Sequence, residues 1–507
     1  MTEQIGTVIS TPEGPSASQF SFVIDEGSRD IPVRQNQFVM LGSEEGNLIA
    51  RVSNIYKTNR YFDRAESVRE YERKGKKLTE IFPAERWEYL VGEAKPLGVY
   101  SDGQIKRATF PPSPGTEVNT INEDILSDFL GLDNSNGLHI GTVGHHNIPV
   151  KLSMTKLLQK HLSVLALSGA GKSYLTSVLI EELLDRDSGA GQVGTVVIDT
   201  HGEYIGFGED EEYSDRVNVI RGTDFKIGAS NLSPSLFFHL KPNLSSAQRR
   251  EISRILRNIR KEKSGDVYSL SSIADAVARD DSIKASTKEV LLSEISHLER
   301  TGIFDATDNP PIEDLVNPGE ASIIDISDFT SLEERQMLVT YIARKLFFKR
   351  QNDEVPPFLL VLEEAHNFAP EGKKRHNALS RPVIQRIARE GRKFHSSLCL
   401  ISQRPIKLDT TALSQCNTKI IMRITNPYDQ KHIGKSSEGL TSDVLETISS
   451  LRVGEAFVVG EAVNYPLFAQ IRKRKSEESE RGMPLEKAAK KYLDQVEKKS
   501  RDAESFM

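Results

Sequence analysis

Ala166-Leu167-Ser168-Gly169-Ala170-Gly171-Lys172-Ser173 is the stretch from which the rest of the chain is read. An apolar run, Leu162 to Leu167, leads into it, and a helical pattern from Tyr174 to Leu184 follows, giving strand, glycine loop, helix. Glycines let backbone N–H groups turn inward and cradle phosphate oxygens at a helix N-terminus. Ser168, Gly169, Ala170, Gly171, Lys172, Ser173 and Tyr174 are therefore the expected nucleotide-binding residues. Lys172 is suited to the outer phosphates of ATP and the Ser173 hydroxyl to Mg²⁺. The pattern G-x-x-x-x-G-K-[ST] is met except at its first position, where Ala166 stands. That first glycine serves turn geometry more than phosphate contact.

Other apolar runs end in polar residues of the kind a phosphoryl-transfer site needs. Val196-Val197-Ile198 ends in Asp199-Thr200-His201-Gly202-Glu203-Tyr204. There Asp199 and Glu203 are candidates to act on metal-bound or attacking water, and His201 to contact phosphate or a neighbouring subunit. Phe358-Leu359-Leu360-Val361-Leu362 delivers Glu363 and Glu364 at a strand end, where open α/β sheets bind ligands. Glu363 takes the position that steadies Mg²⁺ through water, and Glu364 the one that orients and deprotonates the attacking water. Ser402-Gln403-Arg404-Pro405 ends a further strand, and the Gln403 amide can bond both the γ-phosphate and the water. Arg389, Arg392 and Lys393 gather near a helix end. Arg389 and Arg392 either neutralise transition-state charge across a subunit boundary or pair with the helix dipole. Lys373-Lys374-Arg375-His376 is either a loop that touches DNA phosphates or a solvated charge run.

Composition narrows the class. The 507 residues allow two to four domains, and 37% hydrophobic with 27% charged residues suits a globular protein without membrane spans. The net charge of −6 means that nucleic-acid binding needs a local basic patch, or a ring that gathers basic residues in one place. Two cysteines, Cys399 and Cys416, build neither a disulfide framework nor a zinc site, so the expected setting is the reducing cytoplasm.

Residues 1–55 read as short strands punctuated by Gly and Pro, a small β-barrel, with a charged helical insertion at about 57–86. Asn122 is placed to cap a short helix, since Glu123 and Asp124 suit its first turn. The expected domains are 1–145, the barrel; 146–475, an α/β ATPase core with a helical subdomain at about 244–315; and 476–507, a charged helical arm. Alternating strands and helices around the glycine loop indicate a parallel sheet covered on both faces.

These motifs together resemble the HerA family, the DNA translocases and helicases of the HerA/FtsK branch of P-loop ATPases. The resemblance lies in Leu158-Gln159-Lys160-His161 running into the glycine loop, in Asp199 to Tyr204, in Leu362 to Phe368, in Arg389 to Lys393 and in Ser402 to Pro405. The family tolerates Glu at the Glu363 position and usually has Pro where Thr200 stands. The N-terminal strands resemble the HAS barrel of that family.

The resemblance implies a RecA-like core, a homohexameric ring with ATP at subunit interfaces, and double-stranded DNA in a central channel. It implies that Lys160 contacts nucleotide in cis and that Arg389 acts in trans. It also implies a NurA-type nuclease docked on the N-terminal barrel, the pair resecting DNA ends in double-strand break repair by homologous recombination. An alternative is the same motor in an antiphage defence complex with another effector. A non-translocating, nucleotide-gated DNA-binding scaffold is another, and Glu364 argues against it.

Overall fold

A computed structural model describes residues 3–479 except 13, 26–32, 60–68, 70–72, 74–87, 102, 264–265, 373–376, 438–439 and 441; beyond these it describes 485–487 and 489–493. The chain folds as two units. The first holds residues up to Leu152 with two returning segments, 441–447 and 457–470; the second holds Ser153–Leu440, Ile448–Ala456 and the residues from Ile471 on.

In the first unit β1 (Gln4–Ile9), β2 (Phe20–Ile24), β3 (Phe38–Ser43), β4 (Gly46–Asn59), β5 (Glu88–Ser101), β6 (Gln104–Lys106) and β7 (Glu117–Thr120) form one sheet in the order β2-β1-β7-β3-β4-β5-β6. A further β2–β5 pairing closes it into a barrel, with β6 added at its rim. Alternate residues point inward, and Ile5, Val8, Phe20, Phe22, Val39, Leu41, Leu48, Val52 and Val118 fill the interior. Gly92 is needed on β5, because a Cβ there would lie 2.6 Å from the Phe22 ring.

Asn122 caps α1 (Glu123–Leu130) through Asp124 and Ile125 N–H, and Gly131 ends it in the left-handed region. The hairpin of β8 (Leu138–Val143) and β9 (Pro149–Leu152) pairs Leu138 with Leu152, so this unit runs past residue 145 to Leu152. Gly144 N–H donates to Phe468 O at 2.8 Å, which ties the returning segment in. The expected insertion at 57–86 begins later than read, because Lys57 to Asn59 continue β4 and pair with Leu90 to Glu88. Most of the remainder of that insertion lies outside the described residues.

The second unit opens with α2 (Met154–Leu158), β10 (Leu162–Leu165), α3 (Lys172–Leu184), β11 (Gly194–Asp199) and β12 (Val217–Arg221). A two-residue pair, β13 (Ile227–Gly228) with β14 (Phe304–Asp305), brackets α4 (Pro234–Leu240), α5 (Ser246–Glu262), α6 (Leu270–Arg279) and α7 (Ala285–Arg300). Ser245 and Gln248 form a capping box for α5, and Ser269 caps α6. The chain continues with β15 (Ala321–Asp325), α8 (Leu332–Gln351), β16 (Phe358–Leu362), α9 (Arg381–Glu390), β17 (Ser396–Ser402) and β18 (Thr418–Ile421).

The core strands lie in the order β12-β15-β11-β16-β17-β10-β18, and the described pairs of neighbours among them run parallel. β10, β11, β15, β16, β17 and β18 are buried at every position, as expected of strands covered on both faces. Parallel register brings Leu165 beside Ser402 and Ile198 beside Leu362, so the polar strand ends share one edge.

Candidate active site

The glycine loop leaves the sheet later than the pattern suggests. Ala166 N–H still donates to Ser402 O at 3.2 Å and Ala166 is fully buried, so no glycine is required there. The turning positions are Gly169 at φ 74° and Gly171 at φ 103°. Ser168 and Gly169 are exposed, Ala170 is buried, and Gly171 caps α3, so Lys172 and Ser173 open the helix. The first N–H groups of that helix have no intrahelical partner, which makes this end a place for phosphate.

Three carboxyl groups converge below it. The Ser173 hydroxyl donates to Glu203 Oε2 in a short contact, and Glu203 in turn shares a hydrogen bond with Glu363. Glu363 Oε2 also accepts from Thr200 N–H and Thr200 Oγ1–H, both at 2.8 Å. Burial, with Asp199 and Glu203 close by, holds the Glu363 carboxyl well above its ordinary range. Asp199 is differently employed: Oδ1 accepts from His201, Gly202 and Glu203 N–H at 3.2, 2.7 and 3.1 Å, and Oδ2 from Tyr204 N–H at 2.9 Å. It is the keystone of the 199–204 turn.

Glu364 sits at φ 48°, in the left-handed region, two residues beyond the end of β16. The residue is 3% exposed, and its Oε2 has no hydrogen-bond partner among the described residues. Nδ1 of His366 lies 3.2 Å from that oxygen but is engaged by Ser402 Oγ at 3.1 Å. Burial raises the Glu364 carboxyl, while Lys172, His201 and the Gln403 backbone N–H pull it back down. Gln403 therefore reaches this carboxylate by its main chain.

Tyr174, expected among the nucleotide contacts, has its hydroxyl accepting from Arg474 N–H at 2.7 Å. That contact belongs to a segment, Arg472 to Ser479, that runs across the expected boundary between core and charged arm at 475–476. Arg472 to Ser479 lies along α3 because Glu181, fully buried, must be satisfied there. Glu181 accepts from Arg472 Nη1 at 2.8 Å, from Lys475 and Ser476 N–H at 2.9 Å, and from Ser476 Oγ at 2.6 Å. Further along, Glu477 N–H donates to Asp210 at 2.8 Å and Ser479 Oγ to Gly202 O at 2.6 Å. The segment thus bridges the P-loop helix and the turn that carries Glu203.

The other expected residues stand at the far edge of the sheet. Arg389 is exposed in the last turn of α9, with Nη2 donating to Gln385 Oε1 at 3.3 Å, and Arg392 is exposed in the turn that follows. β17 then runs seven residues, roughly 20 Å, before it reaches the P-loop edge. Lys160 precedes β10 and shares this far edge, with Leu162 to Leu167, also about 20 Å of extended chain, between it and the glycine loop. Between the two lies His161, which the motif reading passed over. Its Nδ1 accepts from Leu398 N–H and its Nε2–H donates to Ala388 O, both at 3.0 Å. Burial lowers its pKa to about 4, keeping the ring neutral. Lys373 to His376 lie outside the described residues.

Ser173, Glu203 and Glu363 form a hard oxygen donor set of the kind Mg²⁺ accepts, and their crowding is what a divalent cation relieves. Among the described residues no group of three or more His, Cys, Asp or Glu side chains is placed to hold a metal unaided. The nucleotide phosphates would have to complete the shell. Among the same residues no helix is long and apolar enough to cross a membrane.

Residues 138–346 match the family model described as "Helicase HerA, central domain". The DNA double-strand break repair helicase HerA of Pyrococcus furiosus is 31% identical over 445 residues, covering 76% of this chain and 78% of that protein. HerA of Saccharolobus solfataricus is 28% identical, covering 92% of each chain. Among solved structures, VirB4 of Thermoanaerobacter pseudethanolicus has a TM-score of 0.54 at 14% identity, covering 68% of this chain and 98% of that one, a likeness of fold. With its P-loop, its paired strand-end glutamates and these relatives, the chain belongs to the HerA family of helicases, built on a P-loop ATPase core.

Proposed function

We propose that the chain is an ATP-hydrolysing DNA helicase of double-strand break repair, working as a homohexameric ring on duplex DNA with a NurA-type nuclease in end resection. The observation that carries hydrolysis is Glu364: a buried carboxylate with one oxygen undonated, beside Lys172, at the ligand edge of a parallel sheet. A scaffold that only binds nucleotide has no use for such a group. Ionised, Glu364 takes the proton of a water that attacks the γ-phosphate in line, as the leaving ADP departs. Lys172 compensates the charge that builds on the transferred group. Bound Mg²⁺, held at Ser173 and Glu363, would supply Lewis-acid neutralisation of the phosphates.

The ring reading is supported by Arg389, which is exposed and about 20 Å from the P-loop of its own subunit. It serves a nucleotide only across a boundary. The nuclease partner, with the N-terminal barrel as docking surface, rests on the family alone.

The test is ATP turnover by size-fractionated oligomer, with and without linear duplex DNA. Stimulation by DNA in a ring-sized fraction, lost in Glu364→Gln, is the expected result. Turnover that Glu364→Gln leaves intact overturns the hydrolytic assignment. Indifference to DNA, persisting when nuclease is added, overturns the motor.

A further inference from the structure

Away from the P-loop, a cavity of about 730 Å³ opens between α4, α5, α8 and α9. Arg260, Arg344, Lys345 and Arg386 line it, and no Asp or Glu is among its lining residues. Their partners are mostly neutral. Arg344 Nη2 donates to Ser235 Oγ at 2.7 Å, Arg260 Nη2 reaches Ser230 O at 3.4 Å, and Lys345 Nζ lies 5.7 Å from the centre of the Tyr341 ring. Arg386 lies over Phe347 and pairs with Glu390 outside the cavity.

The nearest carboxylates are spent elsewhere. Asp308 accepts from Gly228 N–H and Asn231 Nδ2, each at 2.7 Å, and Glu313 pairs with Lys349. Burial, then the neighbouring Arg386, lowers the Arg344 guanidinium. Burial also lowers Lys345, with Lys349 and Arg260 adding to it and Asp308 and Glu313 opposing. Cations crowded in a concave site without an anion among them are stabilised by one that enters. Phe348, 58% exposed at the rim, adds a flat apolar surface. Cations for phosphate beside an aromatic face for a planar ring is the combination that takes nucleotides, and the volume is that of a small-ligand site.

We propose that this cavity is a second nucleoside-phosphate site, holding phosphate on Arg344 and Lys345 and the base against Phe348. Its ligand is either a free nucleotide or the 5′-phosphorylated terminal nucleotide of a DNA strand. The free-nucleotide source stands independently of the motor reading; the DNA-end source rests on it.

Full-length Lys172→Ala protein separates this site from the P-loop. Fluorescent ADP and short labelled duplexes ending in 5′-phosphate or 5′-hydroxyl are titrated at fixed salt. Adding Arg344→Gln and Lys345→Gln is expected to weaken one probe about tenfold or more, the scale of losing charge-assisted bonds. Loss confined to ADP assigns the free nucleotide; loss confined to the 5′-phosphorylated duplex assigns the DNA end. If neither probe responds to the pair of substitutions, the proposal is overturned. Should that protein not fold, Arg260→Gln, which removes a long bond to the Ser230 carbonyl, is read in its place. It should weaken the same probe by less, and no change overturns the proposal. ATP turnover retained by the same variants with Lys172 intact shows that the motor reading stands or falls separately.

Discussion

The imidazole of His161 donates Nε2–H to the carbonyl of Ala388, at 3.0 Å, and so holds the end of the helix whose next residue is Arg389. Its other nitrogen is occupied by Leu398 N–H, which fixes the tautomer and locks β17 to the same ring. His161→Ala removes both bonds from a buried site. It should cost about 2–4 kcal/mol in urea unfolding. It should also lower ATP turnover while nucleotide affinity stays, because the P-loop lies at the other end of β10. Equal losses in both would show that the ring supports the whole core rather than the arginine turn.

Arg389→Ala should bind nucleotide normally and turn it over at least about 10³-fold more slowly, the scale of a trans arginine. Mixed with Lys172→Ala subunits, it should regain part of that activity, since each mutant supplies what the other lacks. Rings that exchange subunits but show no recovery at any ratio would place Arg389 outside the reaction.

Thr200→Val keeps the backbone N–H bond to Glu363 and removes the hydroxyl bond. Ligand-orienting bonds of this kind are worth about 10-fold to 100-fold in metal affinity. The Mg²⁺ concentration for half-maximal turnover should therefore rise about tenfold, with less change at saturating Mg²⁺. An unchanged Mg²⁺ titration would remove Glu363 from the metal site.

Arg472→Ala leaves Glu181 buried without its ion pair, although three other donors remain. The expected cost is about 3 kcal/mol, read by chemical denaturation. Glu182→Ala, which removes the other partner of the same guanidinium but uncovers no buried charge, should cost less. Equal costs would mean that Glu181 is not the residue that needs the segment.

Acid should destabilise the fold before ordinary, unshifted carboxylates titrate. Burial lowers His146, His161 and His366 from 6.5 to about 4 in each case. Between those values the unfolded chain binds protons that the folded chain does not, so stability falls as pH drops from about 6.5 toward 4. Each histidine contributes on the order of 3 kcal/mol across that window. Denaturation midpoints at pH 7 and pH 5 measure it, and His161→Gln should flatten the dependence. Over the same range Glu364, raised by burial, should lose its proton-accepting form earlier than an ordinary glutamate.

What was legible in the sequence was contiguous. The glycine loop, Glu363-Glu364 and Asp199 to Tyr204 each follow an apolar run on one strand, so period and strand end give both element and placement. Parallel register then brings them to one edge without further information. Glu181 and Ser476 are 295 residues apart, and neither stands out locally: one reads as a helix-surface glutamate, the other as part of a charged tail. Lys160 and Lys172 show the opposite case: they are close in sequence, but the intervening strand carries them to opposite ends. The four backbone donors to Asp199 were not legible, because they are supplied by a turn that only the fold defines.

The arm that closes over Glu181 has a consequence for biosynthesis. Ribosomes deliver the P-loop helix about 300 residues before Arg472 to Ser476, so through that interval the helix carries a carboxylate with its main partners still unmade. The nucleotide pocket is therefore among the last parts of the core to mature. A nascent chain therefore holds the whole glycine loop long before the groups that steady its helix are made.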